Sequence, residues 1–285
     1  MVGPRAAVVG AFRLLWLYLT RPSRGEVHLR SGPVLEFDFP SQSPPALVMF
    51  GDLIDPEFAL LREIAQPGWG VVDIGAAIGQ FAMFAARLPD TRVHAFEPSG
   101  ANVATLRRNA IRNGVAERVE IHQLALSNVA GEARFQTAPR AWMSRLDTNG
   151  ATEGELIRVR TLTDTLDSLG LQQVGVLKIN VSGYEPAVLE GAIGFLAAGR
   201  AEVLIALLGL QSLPWYERIA RLGYRFFYYH PVDRVLFEVE RFDRASVLDH
   251  RPWPARHIIG IRAAAIEAGL VRHLGLRQLQ SGATA

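Results

Sequence analysis

Two acidic residues end successive hydrophobic runs, at a spacing that suits a nucleoside-like ligand. Asp73 lies in Val71-Val72-Asp73-Ile74, followed by Gly75-Ala76-Ala77-Ile78-Gly79. Glycines at 75 and 79 with small residues between them let the backbone approach a ligand without Cβ clashes. Glu97 follows the next run, in Ala95-Phe96-Glu97-Pro98-Ser99. An acid roughly 20 residues past such a loop can accept hydrogen bonds from both hydroxyls of a ribose. The arrangement also fits NAD, and a Gly-rich turn by itself fits a plain tight turn. Two features favour S-adenosylmethionine. The loop lacks the third glycine that makes room for a pyrophosphate. Asp73 would repel a pyrophosphate but could pair with the ammonium of a methionyl group.

A second group of polar residues sits in and after the apolar run Val174 to Val181. Lys178 is the only lysine of the chain, and a lysine in a buried strand is costly unless paired. Pairing with a carboxylate such as Asp164 or Glu185 is the favoured reading, ahead of a role as a base. Asn180 and Ser182 can align a substrate or hold a carboxylate by hydrogen bonds, but neither is a base. A hydroxyl acceptor needs a base or a metal to become a nucleophile. Glu185 and the seven histidines supply base candidates, His230 first among them. A hard-metal site wants carboxylates, and positions 180 and 182 and Val203 to Leu210 have none, so no metal is expected there.

The elements that must position these residues alternate. Strand-like runs at Val71–Ile74, Arg92–Phe96, Val119–Leu124, 174–181 and Glu202–Leu208 alternate with helical patterns at Gln80–Leu88, Gly100–Asn113, Glu185–Ala198 and Leu213–Leu222. That rhythm predicts a mostly parallel sheet with helices on both faces. Tyr224–Tyr229 and Val235–Glu240 then read as an antiparallel hairpin closing the sheet. The Phe226-Phe227-Tyr228-Tyr229 cluster reads as core, with alternate members facing the pocket. Past Glu240 the pattern predicts a rim, a helix over Arg262–Leu274 and a tail. The polar segment Phe135–Ile157 reads as an irregular binding loop or lid. Within it, Trp142 either stacks on a sugar ring or plugs the core.

The motifs taken together resemble the FkbM family of methyltransferases. They are Asp73-Ile-Gly-Ala-Ala-Ile-Gly, Ala95-Phe-Glu-Pro-Ser, Asn109 with Asn113-Gly114, and Leu124-Ala-Leu-Ser127 followed by Gly131. Thr161 to Leu166, Val176-Leu-Lys-Ile179 through Gly183 and Glu185, and Leu189-Glu-Gly-Ala192 complete the set. The resemblance covers about Phe50 to Leu208. It implies an α/β fold, Rossmann-like, with a seven-stranded mostly parallel sheet closed by an antiparallel hairpin. It implies S-adenosylmethionine as cofactor and O-methylation of a hydroxyl, often on a sugar, a surface glycan or a polyketide. Asp73, Gly75, Gly79 and Glu97 would contact the cofactor, with Ala76, Phe81, Pro98 and Ser99 in the same segments. Gln123, Leu124 and Ala125 would sit beside the adenine. The family's strand end usually runs Lys-Ile-Asp-Val-Glu-Gly. Here it reads Lys178-Ile179-Asn180-Val181-Ser182-Gly183, so both carboxylates are neutral side chains. The change fits either an adapted enzyme, with Asn180, Ser182, Glu185 and His230 as site candidates, or a cofactor-binding subunit without turnover.

Composition bounds the remainder. The chain of 285 residues has no cysteine and a formal net charge of +2, which excludes a disulfide scaffold and gives no whole-protein field for nucleic acid. Arginines are scattered, as in a GC-rich bacterial genome. The division expected is an apolar helix and short hairpin over 1–45, a methyltransferase domain over 46–242 and a C-terminal rim, helix and tail over 243–285. Ala6 to Leu19 falls short of the ~20 apolar residues of a span, and no secretory cleavage site follows. Val8, Phe12, Leu15, Trp16 and Leu19 share one side, for packing on the domain or on a partner subunit, as in a homodimer. Contact with the inner membrane surface of the cytoplasm is the sharper alternative.

Overall fold

The computed structural model describes all residues except 1–3, 52–54, 137–144, 148–153, 250, 253–254 and 280–285. The chain opens with α1 (Pro4–Thr20), the hairpin β1 (Arg24–His28) and β2 (Val34–Asp38), α2 (Pro45–Phe50) and α3 (Glu57–Ile64). The alternating part runs β3 (Gly70–Ile74), α4 (Gln80–Ala85), β4 (Arg92–Phe96), α5 (Gly100–Arg112) and β5 (Val119–His122). A second stretch of strands follows: β6 (Ala125–Ser127), β7 (Gly131–Gln136), β8 (Arg145–Asp147) and β9 (Glu155–Thr161). Then come α6 (Leu162–Ser168), β10 (Val174–Ile179), α7 (Glu185–Ala197), β11 (Ala201–Leu207) and α8 (Leu213–Ala220). The chain ends in β12 (Tyr224–His230), β13 (Val235–Val239), β14 (His257–Arg262), α9 (Ala263–Glu267) and β15 (Gly275–Gln278).

The large sheet has the order β15-β13-β12-β14-β11-β10-β3-β4-β5, with β5, β4, β3, β10 and β11 mutually parallel. The expected α/β, mostly parallel architecture is present. Two sequence expectations are corrected. Among the described residues the sheet has nine strands, and β14 is inserted antiparallel between β11 and β12, so the β12–β13 hairpin does not close the parallel part directly. Residues after Glu240 are therefore not a rim followed by a long helix. His257–Arg262 is a buried central strand, the helix spans only Ala263–Glu267, and Gly275–Gln278 adds a strand to β13. The run His-Ile-Ile-Gly-Ile-Arg gave no turn signals and lies behind prolines, which masked it.

The segment read as an irregular lid is also corrected in its described parts. β7, β8 and β9 form a four-stranded sheet with β6, in the order β6-β9-β7-β8. Trp142 and Met143 lie outside the described residues. The strand Glu155–Thr161 alternates between exposed and buried positions, burying Ile157 and Val159 against Ala133 and Phe135.

The motif asparagines hold the N-terminal hairpin in place. Asn109 Oδ1 accepts from Glu36 N at 2.8 Å, and its Nδ2 donates to Ile78 O at 2.8 Å, joining β2, α5 and the β3–α4 loop. Asn113 Oδ1 accepts from Val34 N at 2.9 Å. The α1 helix packs differently from the reading above. Gly10 abuts the Met49 backbone of α2 so closely that a Cβ would stand 2.1 Å from Met49 O, and Leu17 is buried. The stripe Val8, Phe12, Leu15, Trp16 and Leu19 is exposed, so it does not pack on the domain. Among the described residues no helix is long and apolar enough to cross a membrane.

Candidate active site

The parallel strands reverse their order between β3 and β10: the chain proceeds outward from β3 through β4 to β5, and outward from β10 to β11 on the other side. Open α/β sheets bind ligands outside the carboxyl ends of the strands at such a switch point. A cleft of ≈ 720 Å³ lies there, lined on one side by Gly75, Ala76, Phe81, Glu97, Pro98, Leu124 and Ala125. Asp73, Gly79, Ser99 and Gln123, grouped with them from sequence, do not line it; Asp73 lies buried beneath the lining.

Gly75 is a glycine for two physical reasons. Its φ is +75°, and a Cβ would lie 2.0 Å from Asn180 O, because the loop leaving β3 passes directly over the end of β10. Gly79 (φ +95°) is packed against Leu106, whose Cδ1 a Cβ would meet at 2.3 Å. Ala77 between them also has positive φ, at +48°. Its N–H donates to Glu97 Oε2 at 2.9 Å. Glu97 Oε1 accepts from Ser99 N at 3.0 Å and Asn102 Nδ2 at 3.1 Å. One carboxylate thus fixes the glycine loop and the first turn of α5, while Ser99 caps that helix. Burial pushes the Glu97 carboxyl above the usual carboxylate range, against the lowering by Asn102, by the two backbone donors and by the charge of Lys178.

Beneath this loop, Lys178 Nζ donates to Asp73 Oδ1 at 2.7 Å and to Gly75 O at 3.1 Å. The pairing of Lys178 with Asp164 or Glu185 is therefore corrected. β3 and β10 run in parallel with Asp73 opposite Lys178, which sets the pair without any long-range search. Asp164 instead accepts from Thr161 at the start of α6. Asp73 is fully buried, and its Oδ2 has no hydrogen-bond partner. A buried carboxylate oxygen left open beside a glycine cradle fits a cationic ligand group, and Lys178, which lines the cleft, fits an anionic one.

Two catalytic candidates lie away from the cleft lining. Glu185 is buried, and its carboxylate accepts from Val181 N and Gly183 N, both at 2.8 Å. It holds the turn in which Ser182 and Gly183 have positive φ, and no oxygen of it lines the cleft. His230 ends β12 in the hairpin turn, 3.1 Å from Asp233 Oδ2, and does not line the cleft. Phe226 to Tyr229 are all buried and none faces the cleft. Asn180 and Ser182 do line it.

The far wall carries a group that sequence reasoning did not single out. His257, at the start of β14, lies opposite Leu207 of β11, one strand beyond Asn180. Asn180 Nδ2 lies 3.2 Å from His257 Nε2. His257 Nδ1 stands 2.7 Å from Glu57 Oε1 and 3.8 Å from Asp55 Oδ1. Glu57 Oε1 lies off the ring N–H direction, so the contact is electrostatic and not an aligned hydrogen bond. Glu57, Asp55 and His257 are all buried. Asp55 is compensated separately, by the Arg256 guanidinium (Nε at 3.2 Å from Oδ1) and by Gln80 Nε2 at 2.6 Å from Oδ2. All five side chains line the cleft. Nothing local in the sequence marks Asp55-Pro56-Glu57 or His257 as a site; the group is assembled by β14 crossing to the sheet centre.

Comparison with known proteins places this geometry. Residues 73–236 match the Methyltransferase FkbM domain. The chain is 35% identical to 31-O-demethyl-FK506 methyltransferase FkbM of Streptomyces tacrolimicus, over 44% of this chain and 60% of that protein. It is 32% identical to the ribosomal protein L11 methyltransferase of Symbiobacterium thermophilum, over 46% of this chain and 38% of that protein. The chain thus spans less than two thirds of the length of these relatives. A crystal structure of methyltransferase FkbM from Methylobacillus flagellatus is similar with a TM-score of 0.44 at 17% identity, covering 76% of this chain and 53% of that one.

Proposed function

Because the chain belongs to the FkbM methyltransferase family, we propose that it transfers a methyl group from S-adenosylmethionine to a hydroxyl of a sugar or glycan intermediate, without a divalent metal. The observation that carries this reading is the Asp73–Lys178 pair under the glycine loop, with Asp73 Oδ2 left open. Such a pair offers one charge to each end of a zwitterionic methionyl group: Asp73 to the ammonium, Lys178 to the carboxylate. Glu97 would accept from the ribose hydroxyls, while Leu124, Ala125 and Phe96 form an apolar wall fit for adenine. When bound, the cofactor supplies an electrophilic methyl group on a sulfonium.

What this chain must add is alignment and a place for the hydroxyl proton. Asn180 replaces the family's strand-end acid and supplies a neutral amide for orientation. His257 lies beside it with Glu57 behind, so a proton leaving the acceptor oxygen can move to Nε2 while the Glu57 carboxylate stabilises the imidazolium. The polar wall of Asp55, Gln80 and Arg256 suits an acceptor with several hydroxyls. The name of the Streptomyces relative puts its methyl group on an oxygen, in keeping with a hydroxyl acceptor.

A cofactor-binding subunit without turnover is the second reading, favoured by the neutral Asn180 and Ser182. Incubation with methyl-labelled S-adenosylmethionine and a panel of glycan and polyketide hydroxyl acceptors, with and without EDTA, separates the two. Label incorporation unaffected by EDTA supports the proposal. Cofactor binding with no incorporation supports the second reading, and loss on EDTA that Mg²⁺ or Mn²⁺ restores contradicts metal independence.

A further inference from the structure

We infer that His94, Glu120 and His122 form a binding site for a divalent transition-metal ion, zinc by its donor set, on the outer edge of the large sheet. His94 on β4 lies opposite Glu120 on β5, the edge strand, and His122 follows two residues on. The period of two puts all three side chains on one face, where cross-strand and diagonal neighbours meet. His94 Nδ1 lies 3.2 Å from His122 Nε2. Glu120 approaches each ring with a different oxygen, Oε2 at 3.5 Å from His94 Nδ1 and Oε1 at 3.5 Å from His122 Nε2.

Those separations have a specific meaning. Around a tetrahedral ion with N and O ligands about 2.0–2.1 Å away, neighbouring donors stand about 3.3 Å apart. The two ring nitrogens have that spacing, and a carboxylate oxygen of Glu120 lies near enough to be the third ligand, which leaves a fourth position for water. Two imidazoles and one carboxylate suit zinc, copper or nickel more than Mg²⁺ or Ca²⁺, which take oxygen ligands. The site is held from behind: the His122 ring stacks on Phe96 at 4.5 Å between centroids, and the side chains of both histidines are only 13% exposed. Glu120 is 59% exposed and leaves an entry path. An ion there would tie β5 to β4 just before Leu124 and Ala125, which line the cleft, so its effect would be to stiffen that wall. Without an ion, the same contact is a hydrogen bond between two neutral imidazoles, and the experiment must separate these.

The test uses tag-free, chelator-stripped full-length chain, titrated with ZnCl₂ by calorimetry and with CoCl₂ by visible absorption. The proposal expects one ion per chain, an intense cobalt absorption of the four-coordinate type, and a rise in melting temperature with zinc. His94→Ala and Glu120→Gln should each weaken zinc binding at least tenfold, whereas His28→Ala, at a separate histidine–glutamate pair on β1, should leave it unchanged. His94→Ala and Glu120→Gln spare the Phe96 stack, and their melting without metal confirms that they fold. Absence of saturable binding, or binding equal in wild type and both variants, overturns the site.

Discussion

Glu57 Oε1 stands 2.7 Å from His257 Nδ1, a contact between the start of α3 and the first residue of a strand near the other end of the chain. The opposite ring nitrogen stands 3.2 Å from Asn180 Nδ2, and both residues line the cleft. His257→Gln should therefore lower methyl transfer about 10²–10⁴-fold, the usual range for general-base help. Cofactor affinity should stay within twofold. Single-turnover transfer rates at saturating cofactor check the role, and an unchanged rate in the folded His257→Gln variant would contradict it. Glu57→Gln should lower transfer less than His257→Gln does, since it removes the stabilising charge and keeps the accepting nitrogen.

Asn180→Asp tests why the usual acid is absent here. A carboxylate at this position would face His257 Nε2, now 3.2 Å from the amide nitrogen, while Glu57 faces Nδ1. The imidazole would then sit between two acids, and the new carboxylate would occupy Nε2, the atom that receives the acceptor proton. Transfer at neutral pH should fall. A rise in activity at neutral pH would show that Asn180 marks lost catalysis and not adaptation.

Asp73→Ala should be costly to stability as well as to binding. It strands Lys178 without its carboxylate at a site where only 8% of the lysine side chain is exposed. Removing one partner of a buried pair typically costs about 3–5 kcal/mol. Urea unfolding of Asp73→Ala and Asp73→Asn measures this, and a loss under about 1 kcal/mol in the alanine variant would mean that Lys178 finds another partner.

Glu97 gives a pH signature of its own. Burial raises its pKa in the folded protein, so the folded state holds that proton more tightly than the unfolded chain does. Its contribution to stability is then greatest at low pH and declines as pH rises from the usual carboxylate value through the raised one. Denaturant melts of the cofactor-free protein at pH 5 and pH 7.5 should show this decline, and Glu97→Gln should lack it. Equal pH slopes in the two proteins would contradict a Glu97 whose burial outweighs its hydrogen bonds.

Local signals carried the Gly75–Glu97 wall of the cleft and failed on the Asp55–His257 wall, for a physical reason. Asp73, Gly75 and Glu97 lie at the ends of adjacent parallel strands, so a βαβ rhythm in the sequence already places them together. Gly75 is forced by a contact with Asn180 that the pairing of β3 and β10 makes unavoidable. Lys178 was recognised as needing a partner, but its partner is set by strand order, which the pattern of runs does not specify. Glu185 looked like a base because an acid one turn into a helix at a strand end faces the crevice; the positive φ of Ser182 and Gly183 turns two backbone N–H groups onto it instead. His257 was invisible because β14 joins the sheet by long-range pairing with β11 and β12, and periodicity carries no information about such pairing.

The central claim is that the cleft over Asp73, Lys178 and Glu97 holds S-adenosylmethionine. Calorimetric titration of S-adenosylhomocysteine and S-adenosylmethionine into wild type, Asp73→Asn and Glu97→Gln measures it directly, with NAD as the competing ligand. The account predicts saturable binding of one molecule to wild type, at least tenfold weaker in each variant, about 1.4 kcal/mol, and none of NAD. Wild-type affinity in both folded variants, or binding of NAD in place of S-adenosylmethionine, would contradict it.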